Sequence, residues 1–150
     1  MRRTIAGILL GAAILCQPIT AGAHERQCPV PIEVTYEEAQ ELMKIASAEA
    51  LNQGEDGMRL VMSVIVNRVN DPDYPNDIYS VIHQPHQFAT AGMAKAEITP
   101  EVHMALAALE CGGCYPNILG FEIKGSNALD AYFTEDFVYK DHIFYKAKNN

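Results

Sequence analysis

The sequence has no apolar run long enough to cross a bilayer. The run from Ile5 to Leu15 is broken by Gln17 and Pro18, well short of the roughly 20 apolar residues a spanning helix needs. Basic residues are scarce, with 11 Lys and Arg against 19 Asp and Glu and a net charge of −8. That balance excludes nucleic acid and acidic membrane surfaces as partners held by general electrostatics. No second cysteine pair joins Cys111 and Cys114 to complete a four-ligand zinc site, and no thioredoxin-like βαβ pattern surrounds them. Neither an internal repeat nor a low-complexity segment is present, which leaves one ordinary globular domain.

What is present begins with Met1-Arg2-Arg3, the apolar run and the small triplet Ala21-Gly22-Ala23, the layout of a secretory signal peptide. The expectation is a leader over 1–23, a domain over 24–150, no stable transmembrane anchor and a secreted, periplasmic protein. Lipid attachment at Cys16 is the weaker reading, because Ala13-Ile14-Leu15 lacks a leucine three positions upstream. Removing the leader takes Arg2 and Arg3 with it and moves the net charge from −8 to −10. Three cysteines then remain, and export favours a disulfide from Cys28 to either Cys111 or Cys114.

Thr35-Tyr36-Glu37-Glu38 is a capping box, so a helix starts here and carries Ala39, Leu42, Met43, Ala46 and Ala50 on one stripe until Asn52-Gln53-Gly54. A second helix over Asp56 to about Val69 has apolar residues on more than one face and is expected to be the central buried one. Asn70 to Asn76, with two prolines, is a loop; a short helix follows over Asp77 to Ile82. Thr99-Pro100-Glu101 starts another helix, with a capping hydroxyl, proline at the first position and an acid in the first turn, and Gly112-Gly113 ends it. Beyond Gly125, aromatic and branched residues favour short strands. The fold class is therefore α+β, mainly helical, with a short C-terminal β-hairpin.

Glu49 is the anomaly in the first helix. It falls four residues after Ile45 and three after Ala46, on the apolar or boundary stripe rather than with Glu37 and Gln40. Partial burial raises a carboxyl pKa toward the range of a general acid. The alternative is a structural ion pair with Arg59 or Arg68, and pattern alone leaves both open.

Three blocks in order resemble the SleB/CwlJ cell-wall hydrolase family. They are Ala48-Glu49-Ala50 with Gly57 and the helix ending Val66-Asn67-Arg68-Val69; Asp71-Pro72-Asp73-Tyr74-Pro75-Asn76 leading through Val81-Ile82 to Gln84-Pro85-His86-Gln87-Phe88; and His142-Ile143-Phe144-Tyr145. The resemblance spans roughly residues 38 to 146. It implies a small lysozyme-like lytic transglycosylase fold, with Glu49 as the acid/base that cuts the MurNAc-GlcNAc β-1,4 bond of peptidoglycan and no cofactor. Gln84 and Gln87 are candidates for hydrogen bonds to sugar amides, and Phe88, Tyr132 and Tyr145 for aromatic faces against sugar rings. Core packing and loop capping are the alternative roles for these residues. Asn67 and Arg68 either orient Glu49 or brace the loop. The partner is the glycan strand, recognised directly or with an envelope partner protein.

Two departures stand out. The family's second glutamate aligns with Gln53, with Leu51 and Asn52 before it, so a two-carboxylate hydrolase would need Glu55 or Asp56 to approach in three dimensions. Phe88 is followed by Ala89, where relatives place a hydroxyl. Two other functions compete. A zinc N-acetylmuramoyl-L-alanine amidase needs about three ligands, but Pro85 separates His83 from His86, His103 and His142 are scattered, and no His-Glu-x-x-His occurs. A non-catalytic peptidoglycan-binding module would suit the altered segment after Glu49.

Overall fold

The computed structural model describes residues 33–148. The expected leader, Cys16 and Cys28 lie outside the described residues. Among those described, no helix is long and apolar enough to cross a membrane.

Helix α1 (Tyr36–Ala50) starts where the capping box places it. The Glu38 backbone N–H donates to Thr35 Oγ1 at 3.2 Å and the Thr35 N–H donates to Glu38 Oε2 at 2.8 Å, so two otherwise unpaired amides of the first turn are satisfied reciprocally. The chain does not stop at Asn52-Gln53-Gly54. It makes one 3₁₀ turn over Leu51–Gln53 and re-enters helix at once as α2 (Gly54–Val69), with the break absorbed by Gly54 at φ 75°. Asp77 caps α3 (Ile78–Ile82) by accepting the Ser80 N–H at 2.7 Å, and Thr99 caps α4 (Pro100–Glu110), which has proline in its first turn.

Helix α2 is the hub. Every residue from Gly57 to Val66 is buried, and α1, α3, α4 and the sheet all pack on it. One side of the core gathers Leu42, Ile45 and Ala46 of α1 with Val61, Met62 and Ile65 of α2 and Val102, Ala105 and Leu109 of α4. The other side sets Leu60 and Val64 against Ile118 and Phe144 of the sheet. Each fully buried large aliphatic side chain here stabilises the fold by about 1.5–3 kcal/mol.

The carboxyl end holds three strands rather than a hairpin alone: β1 (Ile118–Ile123), β2 (Phe133–Tyr139) and β3 (His142–Ala147), antiparallel in the order β1-β3-β2. The expected hairpin is β2–β3, closed between Tyr139 and His142 with Lys140 at φ 48°. Strand β1 begins before Gly125 and was not expected. Its signal is tertiary, since Ile118, Leu119 and Gly120 are buried where β1 packs on α2. The α+β, mainly helical class stands with this enlarged sheet.

Neither Cys111 nor Cys114 is a free thiol. The bridge expected to Cys28 involves a residue outside those described.

Candidate active site

Glu49 occupies the last turn of α1, and its flanking alanines decide how closely other segments approach. Ala50 is fully buried. A Cβ placed on Gly92 would come within 3.2 Å of the Ala48 Cβ, so two small residues let the 3₁₀ segment Thr90–Lys95 lie directly against α1. That contact, with the turn at His86 (φ 63°), carries Gln87, Phe88 and Ala89 to the end of α1. The Ala89 N–H donates to Glu49 Oε1 at 2.5 Å. Position 89 thus acts through its backbone, which an alanine supplies as well as a hydroxyl residue would.

The rest of the site comes from the sheet. Glu49, His86, Gln87, Phe88 and Ala89 line an open cleft of about 400 Å³ together with Phe121, Glu122 and Ile123 of β1 and His142 of β3. Aromatic rings join these segments: Phe88 lies 6.2 Å from Phe121, which lies 5.2 Å from His142 and 5.8 Å from Phe144.

Burial holds the Glu49 carboxyl above the ordinary glutamate range, and the Ala89 N–H offsets only part of that rise. Neither arginine proposed as its ion-pair partner fills that role. Arg59 pairs with Asp56 at 2.9 Å and donates to Gly113 O. Arg68 is buried, donates to Leu119 O at 2.7 Å and Gln87 Oε1 at 2.9 Å, and lies over the Tyr74 and Phe88 rings. It therefore braces the loop and β1. Asn67 likewise braces, donating to Tyr115 O and Ile118 O.

Of the residues expected to meet substrate, Glu49, Gln87 and Phe88 line the cleft. Gln84 does not; its Oε1 is buried with no hydrogen-bond partner among the described residues. Tyr132 is 73% exposed and stands outside the lining. Tyr145 is buried, so it offers no ring face; its hydroxyl lies 2.5 Å from Glu122 Oε1 and 3.1 Å from Asp130 Oδ1. Sequence reasoning passed over Glu122 itself. A lone acid in the apolar run Ile118-Leu119-Gly120-Phe121-Glu122-Ile123 was the available signal, had that run been read as a strand.

Gln53 proves to be a clamp. Buried, it donates from Nε2 to Asp141 Oδ2 at 3.1 Å and accepts the Asp141 N–H on Oε1 at 3.2 Å. A carboxylate cannot both donate and accept in this pairing, which accounts for an amide here. Neither Glu55 nor Asp56 lines the cleft. His83 contacts Glu41 at 3.1 Å and is not part of the lining that includes His86. Among the described residues no three His, Cys, Asp or Glu side chains are grouped to hold a metal ion.

The sequence profile described as Cell Wall Hydrolase matches residues 52–145, a span that begins three residues after Glu49. Among solved structures, the catalytic domain of the Bacillus cereus SleB protein superposes with a TM-score of 0.66 at 21% identity, covering 78% of this chain and 95% of that one. The catalytic domain of the germination-specific lytic transglycosylase SleB from Bacillus anthracis gives 0.66 at 20% identity, covering 78% of this chain and 100% of that one. No match is found among the curated proteins.

Proposed function

Because this chain belongs to the cell wall hydrolase family, we propose that it is a secreted, periplasmic peptidoglycan-cleaving enzyme working as a lytic transglycosylase, with 1–23 as leader, 24–150 as the catalytic domain and Glu49 as acid/base. One observation carries the reading: a half-buried carboxyl without an ion-pair partner among the described residues, kept protonated more readily than an ordinary glutamate, in the lining of an open cleft.

The Ala89 N–H occupies Oε1, which leaves Oε2 to bear the proton. Oε2 donates that proton to the glycosidic oxygen, and the bond from the MurNAc anomeric carbon to that oxygen breaks. The muramoyl 6-hydroxyl oxygen then attacks the anomeric carbon, and its proton returns to Glu49, now a carboxylate stabilised by the Ala89 N–H. The products are an anhydro-MurNAc end and a free GlcNAc 4-hydroxyl. Gln87 and Phe88 are the substrate contacts this scheme favours, an amide for sugar polar groups and a ring for a sugar face.

The test is mass spectrometry of muropeptides released from purified sacculi by the mature protein and by Glu49→Gln. Anhydro-muropeptides from the wild type alone support the reading. Reducing-end sugars would replace it with a hydrolase, free stem peptides with an amidase, and no release with a binding module.

A further inference from the structure

The cleft contains a second carboxylate to which the acid/base scheme assigns no task. Glu122 of β1 lines the same cleft as Glu49, and both of its oxygens are held. Oε1 accepts from the Tyr145 hydroxyl at 2.5 Å; Oε2 accepts from Ser126 Oγ at 2.7 Å and from the Ala128 N–H at 3.1 Å. Such donors favour the anion. Burial acts in the opposite direction, but these bonds together outweigh it and leave Glu122 below the ordinary glutamate range. The two carboxyl groups of one cleft are thus pushed apart, Glu49 upward and Glu122 downward, the pattern by which paired acids divide their roles.

A neighbour also points to a ligand here. His142 is 4% exposed and lines the same cleft, and its Nδ1 has no hydrogen-bond partner among the described residues. Burial lowers its pKa, which favours the neutral ring, with Asp141 acting weakly against that. Tyr145 donates to Glu122, Asp130 lies against the same hydroxyl, and Glu49 and His86 are the other titratable groups that line the cleft. Arg68 is the cation packed against β1, and it donates to Leu119 O and Gln87 Oε1 rather than to Glu122.

We propose that Glu122 is the charge-stabilising partner of Glu49: its hydrogen-bonded carboxylate faces the bound sugar from β1 and stabilises the oxocarbenium-like charge that develops at the anomeric carbon. The proposal rests on the reading of Glu49 given above. Glu122 forms no bond and moves no proton. Its contribution is electrostatic and is made in the transition state. Tyr145, buried and bonded to it, is a positioning residue.

The experiment is a pH profile of muropeptide release for wild type, Glu122→Gln, Tyr145→Phe and Glu49→Gln, with thermal melting as a check on folding. The wild type should give a bell, its acid limb set by protonation of Glu122 and its basic limb by ionisation of Glu49. Glu122→Gln should lower kcat by about 10²–10³-fold with little change in KM, and should abolish the acid limb while keeping the basic one. Tyr145→Phe removes the donor that favours ionised Glu122, so its acid limb should move to higher pH. This variant decides the matter if Glu122→Gln does not fold. An unchanged kcat and acid limb in Glu122→Gln, or an unmoved acid limb in Tyr145→Phe, would overturn the proposal. Wild-type turnover by Glu49→Gln would instead overturn the reading of Glu49.

Discussion

Replacing Gln53 with glutamate should weaken the protein, not improve it. The substitution removes the Nε2 donor that meets Asp141 Oδ2 at 3.1 Å and puts two carboxylates at that separation. Losing a buried hydrogen bond costs about 1–3 kcal/mol. Repulsion at 3.1 Å amounts to about 1–5 kcal/mol between the water and near-surface limits, and Asp141 is exposed, which favours the lower end. The Lys140 ammonium, which donates to Gln53 O at 2.5 Å, offsets part of it. A net loss of about 2–4 kcal/mol at pH 7 follows, a fall in Tm of about 10 °C for a domain of this size. The introduced carboxyl has a raised folded-state pKa, so the deficit should shrink as pH falls and that group protonates. Thermal melts of both proteins at pH 7 and pH 4 measure this. A Tm within about 2 °C of wild type at pH 7, with no pH dependence in the difference, would refute the clamp.

Glu49 should make its own mark on stability. Its folded pKa lies above the unfolded value, so folding takes up a proton between the two and wild-type stability falls as pH rises through that window. Denaturation of Glu49→Gln at pH 4 and pH 8 should show near-equal stability at the lower pH and a more stable variant at the higher. Its turnover should fall about 10²–10⁴-fold, as for loss of a general acid. In Gly57→Ala the new Cβ would sit 2.2 Å from Gln53 Cβ. Overpacking of about 1–3 kcal/mol should then outweigh the helix-propensity gain of about 1 kcal/mol, a net loss that urea titration would detect.

The helices were legible because their determinants are local. Thr35, Asp77 and Thr99 cap amides within three residues of themselves, and the apolar spacing of α1 and α4 states which face is buried. Glu49 was legible for the same reason, as an acid out of place on a helical stripe. Strand β1 was not, because its burial depends on α2, some 50 residues earlier, and on pairing with β3. Nor could the sequence separate an ion pair from a free acid at Glu49, since Arg59 and Arg68 found other partners only once α4, β1 and the loop after α3 had closed around α2.

Spacing along the chain therefore determined which residues are helical, which acid is anomalous and which family the blocks resemble. Only the tertiary structure brought Glu122 into the cleft that Glu49 lines, bonded it to the buried Tyr145 and turned Gln53 into a clamp on Asp141. The physical reason is range. Capping and periodicity act within a few residues, whereas desolvation and hydrogen bonding at a cleft depend on surfaces contributed by segments that are neighbours only after folding.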